Sequence, residues 1–172
     1  MTQQEDPNLL LVAGIRLRLV FEYLVMAVLF GAAISAGAQL IASLFIAVVA
    51  MKISLAVVFQ SAFDAIYYGF IVFLFGFLSA VVVGVPLFEA LEKQKFRKAW
   101  PFFVAAVIVE MVIFSLTTGK APVFLELPLV TTLSVLAPGI VIAALFSRRI
   151  KPLWLEIEKS ETVSTPIVVK LH

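Results

Sequence analysis

The hydrophobic positions of this chain form long, almost unbroken runs. The only charged side chains between Leu19 and Phe88 are Glu22, Lys52 and Asp64, and further apolar runs follow at 101–118 and 127–147. A run of about 20 apolar residues spans the hydrocarbon core of a bilayer, where a helix satisfies its own backbone hydrogen bonds. The pattern therefore predicts an all-α, polytopic integral membrane protein.

Four transmembrane helices are predicted, at roughly 19–41, 65–88, 100–118 and 128–147, between a short amino-terminal segment (1–18) and a carboxyl-terminal tail (148–172). Trp100-Pro101 opens the third helix. The sequence Arg148-Arg149-Ile150-Lys151-Pro152 is expected to end the fourth helix. Trp100 and Trp154 lie beside basic residues, which predicts that both indole rings sit in the headgroup layer.

The amino half allows two interpretations. Residues 19–51 as one helix would be about 50 Å long, which exceeds the hydrocarbon thickness of about 30 Å. In the four-span interpretation, residues 42–63 form the projecting end of that helix, a connection and an interfacial or re-entrant helix. A helix break within 35–39 would instead create a fifth span at 40–59.

Basic residues favour four spans. Short loops rich in Lys and Arg stay in the cytoplasm, and an even number of spans places every basic cluster on that side with both termini inside. The clusters are Arg16 and Arg18; Lys93, Lys95, Arg97 and Lys98; and Arg148, Arg149 and Lys151. The stretch GVPLFEALEK, in which a span closes with proline before a basic loop, resembles small four-span inner-membrane proteins of bacteria. We therefore expect a multi-pass protein of the cell membrane, in a bacterial inner membrane.

Composition narrows the chemistry. Hydrophobic residues make up 63% of the chain and charged residues 14%, against about 45–50% and about 25% in soluble domains. The chain has no Cys, and its single His is His172, so thiolate or histidine metal sites, haem ligation and a His-based triad are not expected. No phosphate-binding or hydrolase motif occurs. We expect no cofactor, no metal site, no catalytic chemistry and no nucleic-acid partner.

Glu110 is the one polar residue that the pattern singles out. It lies about 15 Å along the third helix from Trp100, near the predicted bilayer midplane, where a carboxylate costs at least about 2.5 kcal/mol. One interpretation is a proton or cation site, or an anchor for a basic group of a partner. The other is a neutral carboxyl group hydrogen-bonded to a neighbouring helix, with these candidate partners: Ser79, Thr131, Thr132 and Ser134.

Small residues recur at helical spacing in the first two predicted spans and let helix backbones approach closely. They form two ridges, Ala27, Gly31 and Ser35 in the first span and Gly76, Ala80 and Gly84 in the second. We expect the ridges to pack on each other or on a second copy of the chain. Arg18 and Glu22 have the i, i+4 spacing of a helical ion pair.

By elimination, the sequence favours an integral-membrane accessory or interaction protein, such as a subunit of a membrane complex or an immunity-type protein. Its partners would be the lipid bilayer and another membrane protein or a second copy. The alternative is a small oligomeric transporter, coupled to protons or ions, in which Glu110 changes protonation.

Overall fold

The computed structural model describes the backbone of residues 7–118 and 129–163 and the side chains of residues 16–116 and 135–159. This part of the chain is helical, without strands, as the sequence predicts. It forms four rods. The first is α1 (Pro7–Val49), and the second joins α2 (Leu55–Ser79), a π-helical turn (Ala80–Gly84) and α3 (Val85–Lys93) end to end; the others are α4 (Trp100–Thr118) and α5 (Leu129–Val163).

α1 runs without a break through residues 35–39, so the interpretation with a fifth span is wrong. The Ser35 hydroxyl donates a hydrogen bond of 2.8 Å to the Gly31 carbonyl within the helix. Gly37 alone costs a helix only about 1 kcal/mol, which does not interrupt it. The interfacial or re-entrant helix expected within 42–63 is also absent, because those residues belong to α1, α2 and the short turn between them.

That turn is closed at both ends by backbone and side-chain caps. The Lys52 N–H donates to the Ala47 carbonyl at 3.0 Å, and Met51 adopts the left-handed conformation (φ 52°) that ends many helices. The Ser54 hydroxyl then accepts a hydrogen bond of 3.3 Å from the Val57 N–H at the start of α2. α1 and α2 therefore form a tight antiparallel hairpin.

The second rod changes its winding before α3. The Val85 N–H bonds the Ala80 carbonyl five residues earlier, and Pro86, which has no N–H, follows directly. A proline within a helix kinks or loosens it, and in this rod the irregularity beside Pro86 is the π-turn. The turn lets the next helix present Phe88 and Leu91 to the protein interior.

α5 is longer than the sequence predicts. It does not end at 148–152 but continues through Pro152 to Val163. Ile150, Trp154 and Ile157 follow one another at helical spacing and are at most 5% exposed. Their burial offsets the roughly 3 kcal/mol that a helix-interior proline costs. The Trp154 ring stacks on Phe88 and is buried in the protein, whereas Trp100 is exposed, and their location in the headgroup layer stays a prediction.

The rods pack pairwise. α1 contacts both α2 and α5, and α4 packs on α5. The buried core lies at the end of the bundle where α4 begins, and it includes Leu24, Phe88, Phe102, Phe146 and Trp154. All three basic clusters lie toward this end, which we call the basic end.

Most of the large apolar side chains of α1 and α2 are not covered by protein. Arg16–Val49 and Leu55–Lys93 are long and apolar enough to cross a membrane, with mean hydropathies of 2.1 and 2.6. Only 11% and 6% of their most apolar windows are buried, whereas the core helix of a soluble protein would be mostly buried. Trp100–Leu116 is a shorter apolar helix.

Candidate functional site

A cavity of about 400 Å³ lies between the α1–α2 hairpin and the α4–α5 pair. It forms because α4 leans on α5 and makes only slight contact with the second rod, mainly at the π-turn. Most of the lining comes from α2, the π-turn, α4 and α5, with Leu24 and Gln39 from α1 and Leu87 from α3. Toward the basic end the cavity is closed by Phe102 and Phe146, whose rings meet edge to face with centroids 5.0 Å apart.

Among the described residues that line the cavity, Glu110 is the only one with a carboxylate. Its Oε1 accepts a hydrogen bond from the backbone N–H of Gly139 in α5. Its Oε2 is buried and has no hydrogen-bond partner among the described residues. One half of the carboxyl group is therefore anchored to the neighbouring helix, and the other half has unused hydrogen-bonding capacity.

Two properties of α5 permit this anchoring. Pro138 precedes Gly139 and disturbs the regular hydrogen-bonding of the helix, because its ring occupies the space of a backbone donor. Gly139 has no side chain, and a Cβ placed there would lie 2.6 Å from Oε1 and 2.8 Å from Cδ of Glu110. Any larger residue at this position would require the Glu110 carboxyl group to move away from the Gly139 N–H.

The remaining lining is largely aromatic and aliphatic. Tyr68 of α2 is half-buried and lies within electrostatic reach of Glu110 across the cavity. Ser79 also lines the wall, but its hydroxyl donates to the Phe75 carbonyl at 2.6 Å. No Lys, Arg or His is among the lining residues of the described chain, so no side-chain cation neutralises Glu110 inside the cavity.

The sequence analysis singled out Glu110 but not its partner. The hydrogen bond goes to the Gly139 backbone, not to Ser79, and the Thr131, Thr132 and Ser134 side chains lie outside the described residues. Tyr67 is exposed, whereas its neighbour Tyr68 belongs to the lining of the cavity. The Pro138-Gly139 pair was the sequence signal that could have identified the partner of Glu110, because it marks a place where a helix backbone can form a hydrogen bond with a side chain.

The glycines of the two small-residue ridges do not face the other ridge. The side-chain direction of Gly31 points at Ile142 of α5, while Gly76 and Gly84 face Val28 and Leu24 of α1. Ala27, Ser35 and Ala80 are buried. The expectation of ridge against ridge is therefore corrected: large side chains fill the grooves that the small residues leave.

The closest approach of small residues between α1 and α2 occurs elsewhere. A Cβ on Gly69 would lie 2.8 Å from the Ala36 Cβ and 3.4 Å from the Ala32 carbonyl oxygen. Sequence analysis missed this contact because Gly69 stands alone between large residues.

At the basic end, some cations are paired. Arg18 and Glu22 form the predicted ion pair at 3.1 Å, with both side chains exposed. Arg97 and Glu92 form a second pair at 3.3 Å, with 14% and 23% of the side chains exposed. Arg149 lies over the Phe30 ring, 5.5 Å from its centroid. The other members of the clusters named above extend the positive charge over the surface of this end.

The described residues include no group of three His, Cys, Asp or Glu placed to hold a metal ion. No protein-family model, no curated protein and no solved structure matches the chain. Function therefore has to be inferred from the cavity, the surface and the charge distribution of this molecule.

Proposed function

We propose that this chain is an integral membrane protein with four spans and both termini in the cytoplasm. The uncovered apolar surfaces of α1 and α2 support this, because water would penalise them and lipid would not. At about 1.5 Å per residue, α4 measures roughly 28 Å, close to the hydrocarbon thickness of about 30 Å. The positively charged basic end then lies on the cytoplasmic side.

Within the membrane, the function that the geometry supports best is coupled transport through the Glu110 cavity, without catalytic chemistry. The observation that carries this proposal is the unpaired Oε2 of Glu110 in a cavity midway along α4. Ionisable groups at that depth are costly, and they characteristically mark proton or substrate pathways. The carboxyl group would exchange a proton during the cycle, while the Gly139 N–H holds it in place.

Proton coupling at this position would involve few other groups. Among the lining residues that the structure describes, Tyr68 of α2 is the only other titratable side chain. Glu110 is accordingly the single carboxyl group through which a proton would pass in the described part of the cavity.

Purified protein in liposomes tests this function. After an external acid jump, we expect a trapped pH-sensitive dye to report faster proton entry with wild type than with Glu110→Gln, which should match empty liposomes. Glu89→Gln is the matched control, because Glu89 is exposed on α3 and outside the cavity. Equal rates for wild type and Glu110→Gln, with both variants eluting as folded protein, would contradict the proposal.

A second candidate is an accessory subunit of a membrane complex, which the sequence analysis favoured. The specific observation in its support is the tip of the α1–α2 hairpin, where large apolar side chains such as Ile41, Phe45, Phe59 and Phe63 are 66–71% exposed. A partner could cover them, as lipid could. Purification from native membranes in mild detergent, followed by mass measurement of the intact particle, separates the two functions. A companion protein in fixed ratio supports the subunit role, and a particle containing only this chain counts against it.

A further inference from the structure

We propose that the cavity beside Glu110 binds a small hydrophobic ammonium ion, that is, a protonated primary or secondary amine with an aromatic or branched apolar body. This inference rests on the same site as the proposed transport function and names the class of its ligand. It follows from the carboxylate, the aromatic lining, the lack of a competing cation among the described lining residues and the depth of the cavity.

The carboxylate lacks one donor. Oε1 of Glu110 is satisfied by the Gly139 N–H, and Oε2 is buried without a partner among the described residues. Leaving a buried acceptor unsatisfied is unfavourable, and more so when the group is charged. An ammonium N–H directed at Oε2 would supply both the missing donor and the missing positive charge, and no lining residue competes for that role.

The walls suit a cation that carries an apolar body. Five aromatic rings contribute to the lining: Tyr68, Phe75, Phe102, Phe114 and Phe146. Ring faces attract organic cations, most strongly where water is excluded, and aromatic surroundings are a general means of binding ammonium groups. The aliphatic remainder of the lining would bury the hydrocarbon part of the ligand. A volume of about 400 Å³ falls in the size range of small-molecule sites.

Two other cations fit the cavity less well. A Ca²⁺ ion takes about six to eight oxygen ligands, whereas the lining offers one carboxylate and scattered neutral oxygens from Gln39, Tyr68 and Ser79. The ammonium headgroup of a phospholipid stays at the membrane surface, and Glu110 lies about 15 Å along α4 from Trp100. The ligand is therefore a free amine.

Binding is measured with wild-type protein in phosphatidylcholine nanodiscs by isothermal titration calorimetry, with empty nanodiscs subtracted. The probe is dibenzylamine at neutral pH, and dibenzyl ether is its neutral counterpart of the same shape. We expect saturable binding of the amine and roughly tenfold or more weaker binding of the ether, as loss of a charge-assisted hydrogen bond implies. Glu110→Gln should lose the preference for the amine, and Glu89→Gln should keep it.

A second variant protects the test against misfolding of Glu110→Gln. Ala106→Phe keeps the carboxylate but places a ring in the cavity, since Ala106 lines its wall; it should weaken amine binding while leaving thermal stability in detergent near that of wild type. Equal binding of amine and ether, or amine binding unaffected by both variants, would overturn the inference. Amine binding without proton flux would support the amine site and refute transport. Proton flux without amine binding would support transport and refute the amine site.

Discussion

Gly139 is the residue on which the position of Glu110 depends. A methyl group at Gly139 would come within 2.6 Å of Oε1 of Glu110 and push the carboxyl group out of its hydrogen bond. The carboxyl group ends a flexible side chain and can move, so the main cost is the lost hydrogen bond. We therefore expect Gly139→Ala to lower the free energy of unfolding by about 1 kcal/mol after the better helix propensity of alanine is counted. Reversible unfolding by dodecyl sulfate in mixed micelles measures the change.

Gly37→Ala is the matched control for that substitution. Gly37 also lies inside a helix, but no atom comes within 4 Å of the position its Cβ would occupy. The same chemical change should therefore stabilise α1 by up to about 1 kcal/mol. Opposite signs at the two glycines would separate the contact with Glu110 from helix propensity, whereas stabilisation at both would mean that Glu110 does not depend on close approach to α5.

The candidate site shows which residues a sequence can reveal. Glu110 stands out because it is a charged residue within an apolar run, and local context is enough to find it. Its bond to Gly139 depends on how α4 crosses α5, and no spacing along the chain encodes that crossing. Tyr68 gives no comparable signal, because a tyrosine near the end of a span is ordinarily an interfacial anchor and its place in the cavity lining depends on the neighbouring helices.

At the scale of elements, the helix types were predictable but their ends were not. Apolar runs predicted that the chain is helical, which the described residues confirm, because such runs can be read from the chain alone. The end of α5 depended on a competition between Pro152 and the burial of Trp154, and only the folded structure shows that burial. The end of α1 was not predictable either. The thickness of the bilayer alone would have predicted a shorter helix, whereas α1 continues to Val49 and is followed by the turn at Met51.

The π-turn yields a prediction about an element. It holds one more residue than an α-helical turn, so deleting Val82, which is 62% exposed, should convert it to regular helix and keep Phe88 and Leu91 facing the core. We expect thermal unfolding in detergent close to that of wild type. Deleting Phe70, which is 57% exposed within regular α2, should instead rotate one part of the helix against the other by about 100° and markedly lower the unfolding temperature. If the Val82 deletion lowers the unfolding temperature more than the Phe70 deletion does, the π-turn does more than keep Phe88 and Leu91 facing the core.

At the scale of the whole molecule, the cavity is a property of the arrangement of the rods. It exists because α4 follows α5 and diverges from α2, and none of the apolar runs shows this on its own. The expected orientation of the bundle in a membrane, unlike the cavity, can be predicted from the sequence, because it depends on the positions of the basic residues. The order of the rods places the basic clusters at one end and the turn between α1 and α2 at the other.

That separation gives a prediction for the orientation of the protein in a membrane. The natural chain has no Cys, so single cysteines can be introduced at Met51, Lys95 and Lys151 without removing others. All three positions are exposed, and Met51 lies in the α1–α2 turn, remote from the two basic positions. In intact cells made permeable only at the outer envelope, a membrane-impermeant maleimide should label Met51→Cys at once.

Lys95→Cys and Lys151→Cys should react only after the inner membrane is opened, because the free energy of translocating several cations retains the basic end in the cytoplasm. The two basic positions serve as controls for each other, since a four-span bundle requires them to behave alike. Labelling of Lys95→Cys from outside with protection of Lys151→Cys would mean that the α4–α5 pair inserts differently. Labelling of all three positions in intact cells, with the protein released by alkaline carbonate, would contradict membrane insertion altogether and leave the apolar surfaces of α1 and α2 to be covered by protein.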